Sequence, residues 1–341
     1  MSQLYNAFTL FLSLLVEAIP FLLLGVLLSS ALLFFVDERQ LVAKMPRSPL
    51  LGAFVGSCVG FLFPVCECGN VPVARRLLTQ GAPTAVAIGF LLAAPTINPI
   101  VIWSTWVAFR DQPEIVLWRV IFSLIIATTI GWIFSFQKDP RPLMQPELAK
   151  RAINIQNAFS RMDREDKKAP PLLRSGTFLL DQSGIPVLME EAKLATQFKK
   201  EKTKSLDPEK VRLFLDNAIQ EIRELGGMLV VGSAIASGIQ VLAPRELILN
   251  WGQDPITSII AMMVLAAVVS ICSTVDAFFV LAFASAFTTG SLLAFLVFGP
   301  MIDIKAVGLM LSIFKPRIIM YLFAIAAQMA FVLTLSYSYF F

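Results

Sequence analysis

Apolar residues occur in long runs along this chain, and polar residues are concentrated in short gaps and in one central block. Many runs approach or exceed about 20 residues, the length that an α-helix needs to cross a bilayer. The runs are Leu4–Val36, Pro49–Val65, Pro83–Phe109 and Ile115–Phe136, followed after the block by Met228–Ala243, Pro255–Ile271, Thr289–Leu311 and Pro316–Phe341. This pattern predicts an all-α polytopic membrane protein with about four spans in each of two parts.

Each part also contains one short element and two polar interruptions. The short elements are Val71–Gln80 and Ala277–Phe287, and the interruptions are 66–70 and 95–99 in the first part and 272–276 and 299–303 in the second. Hydrocarbon offers no partners for backbone groups freed by Pro and Gly, so such segments are tolerated only where protein buries them or where they line a wet cavity. We therefore expect broken or re-entrant elements at membrane depth.

The central block, residues 137–206, contrasts with both flanks because prolines and charges of both signs dominate it. We interpret it as a cytoplasmic linker, with possible helical pieces at Glu147–Arg161 and Pro186–Lys204. Asp207 followed by Pro208 is a typical helix start, and we expect that helix to run to Gly226-Gly227. The predicted organisation is a first transmembrane repeat (1–136), the linker (137–206) and a second repeat with a leading helix (207–341).

The two parts match in the order and spacing of their features, which predicts an internal repeat. Cys66 corresponds to Cys272, Asn70 to Asp276 and Asn98 to Asp303, at an offset of 205 or 206 residues. Interrupted segments at matching places in the two halves of a transporter are the best sequence indication of a substrate site.

Repeat orientation depends on whether the short elements turn the chain back. If they do not, the repeats are parallel and the linker-side loops hold two Lys or Arg against eight on the other side. If they do, the repeats are inverted and the count becomes six on the linker side against two. The inverted arrangement obeys the positive-inside rule and is the one we expect. In it Arg39, Lys44, Arg47, Lys305, Lys315 and Arg317 face the cytoplasm.

Composition narrows the possible chemistry. Hydrophobic residues make up 57% of the 341 residues and there is no histidine. Metal or haem sites with His ligands and His proton relays are therefore excluded. A P-loop motif for nucleotide binding is also absent from the sequence. We predict that the chain is not an enzyme, needs no cofactor, binds no nucleic acid, and has the lipid bilayer and a small solute as its partners.

The pair Cys66 and Cys68 offers two soft sulfur ligands to one thiophilic centre, such as trivalent arsenic, antimony or a soft metal. Buried cysteine also serves as a small hydrophobic residue in helices, and this structural interpretation stays open. Cys272 occupies the matching place in the second half. It becomes a third ligand if the two interruptions meet.

Further site candidates carry charge or an amide. Glu67, Asp276 and Asp303 are carboxylates expected at depth, where they would serve proton or cation coupling or cap broken helices. Asn70 and Asn98 have the same two interpretations. Arg75 would neutralise an anionic solute, pair with Glu67, or extend to the membrane interface. Glu17 would pair with Arg75 or Arg76, or it is a carboxyl near the outer surface. Lys305 is expected to pair with Asp303.

The stretch Phe63-Pro-Val-Cys-Glu-Cys-Gly-Asn-Val-Pro72, with Gly81-Ala-Pro83 and Leu92-Ala-Ala-Pro-Thr-Ile-Asn-Pro99, resembles the signature of the ArsP/YraQ-type permeases, the UPF0718 family. In the second half Cys272 to Asp276 and Gly299 to Asp303 stand at the matching places. The resemblance implies a multi-pass permease of the plasma membrane. It also implies export of trivalent organoarsenicals, the solutes of characterised members, in which cysteines are implicated.

The predicted function is a secondary transporter whose central site is built from the broken helices. The predicted site comprises Cys66, Glu67, Cys68, Asn70, Arg75, Asn98, Cys272, Asp276 and Asp303. Two alternatives remain: a membrane-embedded thiol redox or metal-relay protein using Cys66 and Cys68, and a structural or channel subunit that acts through the linker. The oligomeric state is left open.

Overall fold

The computed structural model describes residues 2–35, 48–63, 66–79, 81–136, 143–146, 208–242, 254–284 and 287–340. Within these ranges the chain is helical apart from turns and one isolated backbone bridge between Met144 and Phe314. This confirms the predicted all-α class. The loop with Arg39, Lys44 and Arg47 and most of the linker, including both possible helical pieces, lie outside the described residues.

The described helices fall into two groups of the same order. The first group is α1 (Ser2–Phe35), α2 (Pro49–Val59, extended by a 3-10 turn at Gly60–Leu62), α3 (Glu67–Thr79), α4 (Thr84–Ile97), α5 (Pro99–Ala108) and α6 (Glu114–Ser135). The second group is α7 (Pro208–Leu242), α8 (Pro255–Val269), α9 (Asp276–Leu281), α10 (Thr289–Met301), α11 (Ile304–Met310) and α12 (Pro316–Phe340).

Five helical segments in the described part of the chain are long and apolar enough to cross a membrane. They are Tyr5–Leu27, Thr84–Ala108, Glu114–Ser135, Thr289–Met310 and Pro316–Phe340. The apolar helices Pro49–Leu62 and Pro255–Val269 are shorter. The chain is thus a multi-pass membrane protein.

Each of the two broken helices ends shortly after its proline, and a second helix then begins. Helix α4 continues through Pro95 to Ile97, and the Asn98 side chain then caps α5 by accepting a hydrogen bond from Val101 N at 2.8 Å. Helix α10 continues through Pro300, and Asp303 caps α11 by accepting from Ala306 N at 2.5 Å. The two caps satisfy N–H groups that a helix start leaves free.

The short third elements differ from their predicted bounds. Helix α3 begins at Glu67, so the Cys-Glu-Cys-Gly-Asn stretch forms a helix start and not a separate break. A first helical turn tolerates this composition because its N–H groups lack helical partners anyway and an acidic side chain is favoured there. Helix α9 ends at Leu281, before the predicted Phe287. The N–H groups of residues 282–284 bond three residues back, so the chain continues in tighter turns.

The leading helix is longer than the sequence indicated. It begins at Pro208 as predicted but continues through Gly226 and Gly227 to Leu242, as one helix of 35 residues. Glycine costs only about 1 kcal/mol in a helix interior, and a segment entering lipid keeps its backbone bonds internal. Two glycines therefore do not end this helix.

Burial is greatest along the two broken helices and smallest at the outer helices. The broken helices are 83% and 78% buried across their apolar windows, whereas Tyr5–Leu27 and Pro316–Phe340 are 28% buried. Helices α4 and α10 pack against each other, with α2 and α6 on one and α8 and α12 on the other. The molecule is therefore built around the pair of broken helices.

Helix directions can be read from individual contacts. The ring of Tyr337, near the end of α12, lies 5.5 Å from that of Trp118 and 6.4 Å from that of Phe122, near the start of α6. Helices α6 and α12 are therefore antiparallel neighbours.

The described piece of the linker lies against the turn between α11 and α12. Lys315 N donates to Leu143 O at 3.1 Å, and Gln145 N donates to Ile313 O at 2.8 Å. The Gln145 side chain donates to Leu311 O and Phe314 O at 3.1 and 3.2 Å. The start of the linker is thus anchored to this turn.

Candidate functional site

The start of α3 meets α11 at a buried ion pair. Lys305 Nζ lies 3.0 Å from Glu67 Oε1, and both side chains are at most 4% exposed. Lys305 also donates to the Ser270 carbonyl at 3.4 Å. Both Glu67 carboxylate oxygens are buried and have no hydrogen-bond partner among the described residues, so the contact of Oε1 with Lys305 is an ion pair only. The Oε2 atom, which lacks even this contact, is therefore available as an acceptor.

Thiols from both halves of the chain lie beside the same carboxylate. Cys66, Cys68 and Cys272 are all buried, and Cys68 directly follows Glu67 in the sequence. Ligand atoms of Cys66, Glu67 and Cys272 all lie within 4.8 Å of one another. The two predicted interruptions thus meet, with Cys66 coming from one half of the chain and Cys272 from the other. The fourth cysteine, Cys58, lies on α2 and is partly exposed.

Two more carboxylates complete this group. Glu17 on α1 lies close enough to Cys272, Lys305 and Glu67 for electrostatic interaction. Asp303 interacts with Lys305 and with the Ser270 side chain. We use the name thiol–carboxylate cluster for Glu17, Cys66, Glu67, Cys68, Cys272, Asp303 and Lys305.

Local backbone geometry places Cys272 in the cluster. Ser270 ends α8 in the left-handed conformation, with φ of 49°, which turns the chain sharply after the helix. Left-handed geometry is the usual way to end a helix, although glycine adopts it more easily than serine. The N–H groups of Val275 and Asp276 then both bond to Cys272 O, at 2.9 and 3.1 Å. The resulting tight turn holds the thiol beside α3.

A second buried ion pair joins α6 to α9. Arg119 binds both carboxylate oxygens of Asp276, at 3.2 and 2.5 Å, and donates to the Thr105 hydroxyl at 2.7 Å. Arg119 and Asp276 are at most 2% exposed. Asp276, Arg119 and Thr105 form what we call the arginine cluster. It ties α9 of the second half to α5 and α6 of the first.

Asn70 supplies a hydrogen bond that is missing from the backbone of the first broken helix. Proline has no N–H, so Pro95 leaves the carbonyl of Leu91, four residues earlier, without its helical partner. The Asn70 side chain donates to Leu91 O at 2.7 Å. Asn70 therefore links α3 to α4 and supplies a hydrogen bond that lipid cannot provide.

Several predicted pairings are wrong. Arg75 pairs with Glu224 on α7 and not with Glu67. Lys305 makes its ion pair with Glu67 and not with Asp303. Glu17 lies within electrostatic range of Lys305 and Glu67, and its expected pairing with an arginine stays a prediction.

Of the predicted site residues, five share the thiol–carboxylate cluster: Cys66, Glu67, Cys68, Cys272 and Asp303. Asp276 belongs to the arginine cluster, Asn70 and Asn98 bond to backbone, and Arg75 lies on the α7 side of α3. Sequence reasoning missed Arg119. The available signal was a charged residue inside an apolar run, which is rare in a span and usually paired.

A mixed set of two thiols and a carboxylate, buried and close together, can bind a thiophilic centre or a borderline metal ion. The arrangement is suited to binding.

Comparison with known proteins gives a consistent result. The profile of the ArsP_1 family, described as a predicted permease, matches residues 3–339. UPF0718 protein YcgR of Bacillus subtilis is 35% identical over 311 residues, covering 91% of this chain and 90% of the relative. A Streptococcus mutans protein named as a candidate two-component membrane permease complex subunit is 28% identical over 319 residues, covering 94% and 90%. No solved structure matches the chain.

Proposed function

The chain belongs to the ArsP_1 family of predicted permeases, and on this premise we propose that it is a secondary transporter of a small thiophilic solute across the plasma membrane. The thiol–carboxylate cluster is the solute site. Family membership makes it a membrane permease, which favours transport over catalysis.

One observation carries the proposal: the buried thiols of Cys66 and Cys272 lie within 4.8 Å of each other although they come from different halves of the chain. A solute held by both thiols bridges the two halves. A relative movement of the halves then changes the side from which the solute can be reached, as alternating access requires.

Helix directions support inverted repeats. A Cβ on Gly131, near the end of α6, would lie 2.8 Å from Ala85 O at the start of α4, so these helices are antiparallel. A Cβ on Gly290, at the start of α10, would lie 3.1 Å from Thr334 O near the end of α12. Since α6 and α12 are themselves antiparallel, the equivalent helices α4 and α10 run in opposite directions. Equivalent elements of parallel repeats would run in the same direction.

The linker contact supports the same topology. Leu143 and Gln145 bond to the turn at residues 311–315, so the start of the linker and this turn lie on one side of the membrane. Parallel repeats would put them on opposite sides. In the inverted arrangement this side also carries Lys315 and Arg317, and the positive-inside rule then makes it cytoplasmic.

Within the site, the cysteines bind the solute and the carboxylates Glu67 and Asp303 provide polar contacts or coupling. The family resemblance favours trivalent organoarsenicals as solutes, and soft metal ions share the same thiol chemistry. The other predicted residues do not touch the solute. Asp276 and Arg75 form ion pairs, Asn98 caps a helix, and Asn70 donates to a backbone carbonyl.

A second function, membership of a permease complex, is favoured by one contact and one comparison. The anchored segment Leu143–Gln145 connects the linker to the turn that follows α11, the helix bearing Lys305. The Streptococcus relative is named as a complex subunit. A partner that binds the linker would act on the site through this turn. Removal of residues 150–206 abolishes transport in this case, whereas a self-contained transporter tolerates the deletion.

Flux measurements on reconstituted protein test the main proposal. Proteoliposomes are assayed for uptake of a trivalent phenylarsenical and, separately, of Zn²⁺. We expect flux of at least one, its loss in Cys66→Ser and Cys272→Ser, and normal flux in Cys58→Ser, the matched thiol outside the cluster. Equal flux in all three variants would rule out the thiol site.

A further inference from the structure

We propose that the thiol–carboxylate cluster selects a divalent transition-metal ion, with Cys66, Cys272 and Glu67 as its ligands, in preference to a trivalent arsenical. This inference rests on the proposed transport function, because it names the class of the solute.

The first argument for a metal ion is the combination of sulfur and oxygen ligand atoms in the cluster. Two thiol sulfurs and one carboxylate oxygen lie within 4.8 Å of one another, a separation that ligands of one ion can close by small side-chain rotations. Ions such as Zn²⁺ and Co²⁺ accept sulfur and oxygen ligands together, at about 2.0–2.3 Å for Zn²⁺. Trivalent arsenicals are bound by sulfur and would make no use of the carboxylate.

The second argument is the Oε2 atom of Glu67, which has no partner in the described part of the chain. Glu67 is 3% exposed, and its Oε2 has no hydrogen-bond partner among the described residues. A buried acceptor without a partner is costly. A metal ion bound by Cys66, Cys272 and Glu67 satisfies this oxygen, whereas an arsenical on the thiols would leave it unsatisfied.

The number of protein ligands indicates that the metal ion would be a transported solute and not a structural ion. Three protein ligands leave one position of a tetrahedral ion open, in contrast to the closed four-ligand sites that fix structural zinc. Lys305 Nζ, 3.0 Å from Glu67 Oε1, competes with the ion for the same carboxylate. Binding is therefore reversible: the ion enters as the two thiols release their protons to solvent, and no electron is transferred.

Cobalt serves as the probe, since Co²⁺ substitutes for Zn²⁺ and its bonds to thiolate absorb in the near ultraviolet. Full-length protein in detergent is titrated with Co²⁺ under reducing conditions. The wild type is expected to show a thiolate–cobalt band that Zn²⁺ removes. Cys66→Ser and Cys272→Ser are expected to lose most of the band, and Glu67→Gln to bind Co²⁺ at least tenfold more weakly.

Cys58→Ser is the matched control and should bind Co²⁺ like the wild type. Should the serine variants fail to fold, protection answers the same question in the wild type: Co²⁺ should slow alkylation of Cys66 and Cys272 but not of Cys58.

The outcomes separate the inference from the function on which it rests. If a phenylarsenical protects Cys66 and Cys272 and Co²⁺ produces neither band nor protection, the metal inference is wrong while arsenical transport stands. A cobalt band that disappears in Cys66→Ser supports the inference even if reconstituted protein moves no solute, a result that would instead overturn the transport function.

Discussion

Two buried carboxylate–cation pairs, of similar burial and both joining the halves of the chain, differ in how completely they are satisfied. In the arginine cluster, Arg119 covers both oxygens of Asp276 and also bonds to Thr105. In the thiol–carboxylate cluster, Lys305 Nζ lies 3.0 Å from one oxygen of Glu67, and neither oxygen has a hydrogen-bond partner among the described residues. The planar guanidinium suits bidentate pairing, whereas an ammonium is a point charge.

This difference separates a structural pair from a binding pair. A buried pair in which both carboxylate oxygens are hydrogen-bonded, as in Asp276, loses much when one partner is removed. A carboxylate held by one ion-pair contact, as in Glu67, can exchange that contact for a solute. We therefore propose that the arginine cluster holds α9 in place and that the thiol–carboxylate cluster binds the solute.

The largest expected effect tests the structural pair. Arg119→Gln leaves Asp276 buried without its cation and is expected to lower the free energy of unfolding by about 3–5 kcal/mol. Thermal unfolding of the purified protein in detergent measures this loss. The double variant Arg119→Gln with Asp276→Asn removes both charges and should regain most of the stability. No recovery in the double variant would show that the ion pair is not the cause.

Replacing the cation of the Lys305–Glu67 pair by glutamine should lower stability less than Arg119→Gln does, and it should change solute binding more. Lys305→Gln removes one ion-pair contact to Glu67, whereas Arg119→Gln removes two hydrogen bonds to Asp276, so we expect a smaller loss of about 1–3 kcal/mol in unfolding free energy. Because the competing ammonium is gone, Co²⁺ affinity should rise while flux falls through slower release. Lys315→Gln, a half-buried lysine outside the cluster, is the control. A Lys305→Gln variant less stable than Arg119→Gln would remove the distinction between the two pairs.

The smallest effect concerns the backbone that supports the thiol–carboxylate cluster. Asn70→Ala leaves the Leu91 carbonyl without a donor and should cost about 1 kcal/mol, as measured for single interhelical hydrogen bonds in membranes. Combining it with Pro95→Ala restores an N–H to the helix, so the double variant should recover. Equal stability of Asn70→Ala and the wild type, measured by the same thermal unfolding, would show that Leu91 finds another donor.

The order of elements could be predicted from the sequence, because hydropathy, proline and the short polar stretches mark spans and breaks directly. The breaks near Asn98 and Asp303 lie where Pro95 and Pro300 indicated them. The exact bounds of α3, α7 and α9 could not be predicted. Glycine and acidic residues are as compatible with a helix start or interior as with a loop.

Side-chain partners were harder to predict. Asp303 is the carboxylate nearest to Lys305 in sequence, yet residues two apart on a helix point to different sides. Asp303 bonds to the backbone of α11, and Lys305 extends to Glu67 on α3. Spacing along the chain gives no distance between Arg119 and Asp276, which meet only because α9 packs against α5.

Glycines lie where the helices that carry Glu67 and Lys305 pack against α1 and α7. A Cβ on Gly25 of α1 would lie 2.5 Å from the Cα of Gly69 on α3, and one on Gly308 of α11 would lie 3.2 Å from the Cα of Gly232 on α7. With no side chain between them, the backbones of α1 and α3, and those of α7 and α11, lie in direct contact. A methyl group added at Gly25 or Gly308 would therefore push α3 or α11 away from its neighbour and displace Glu67 or Lys305.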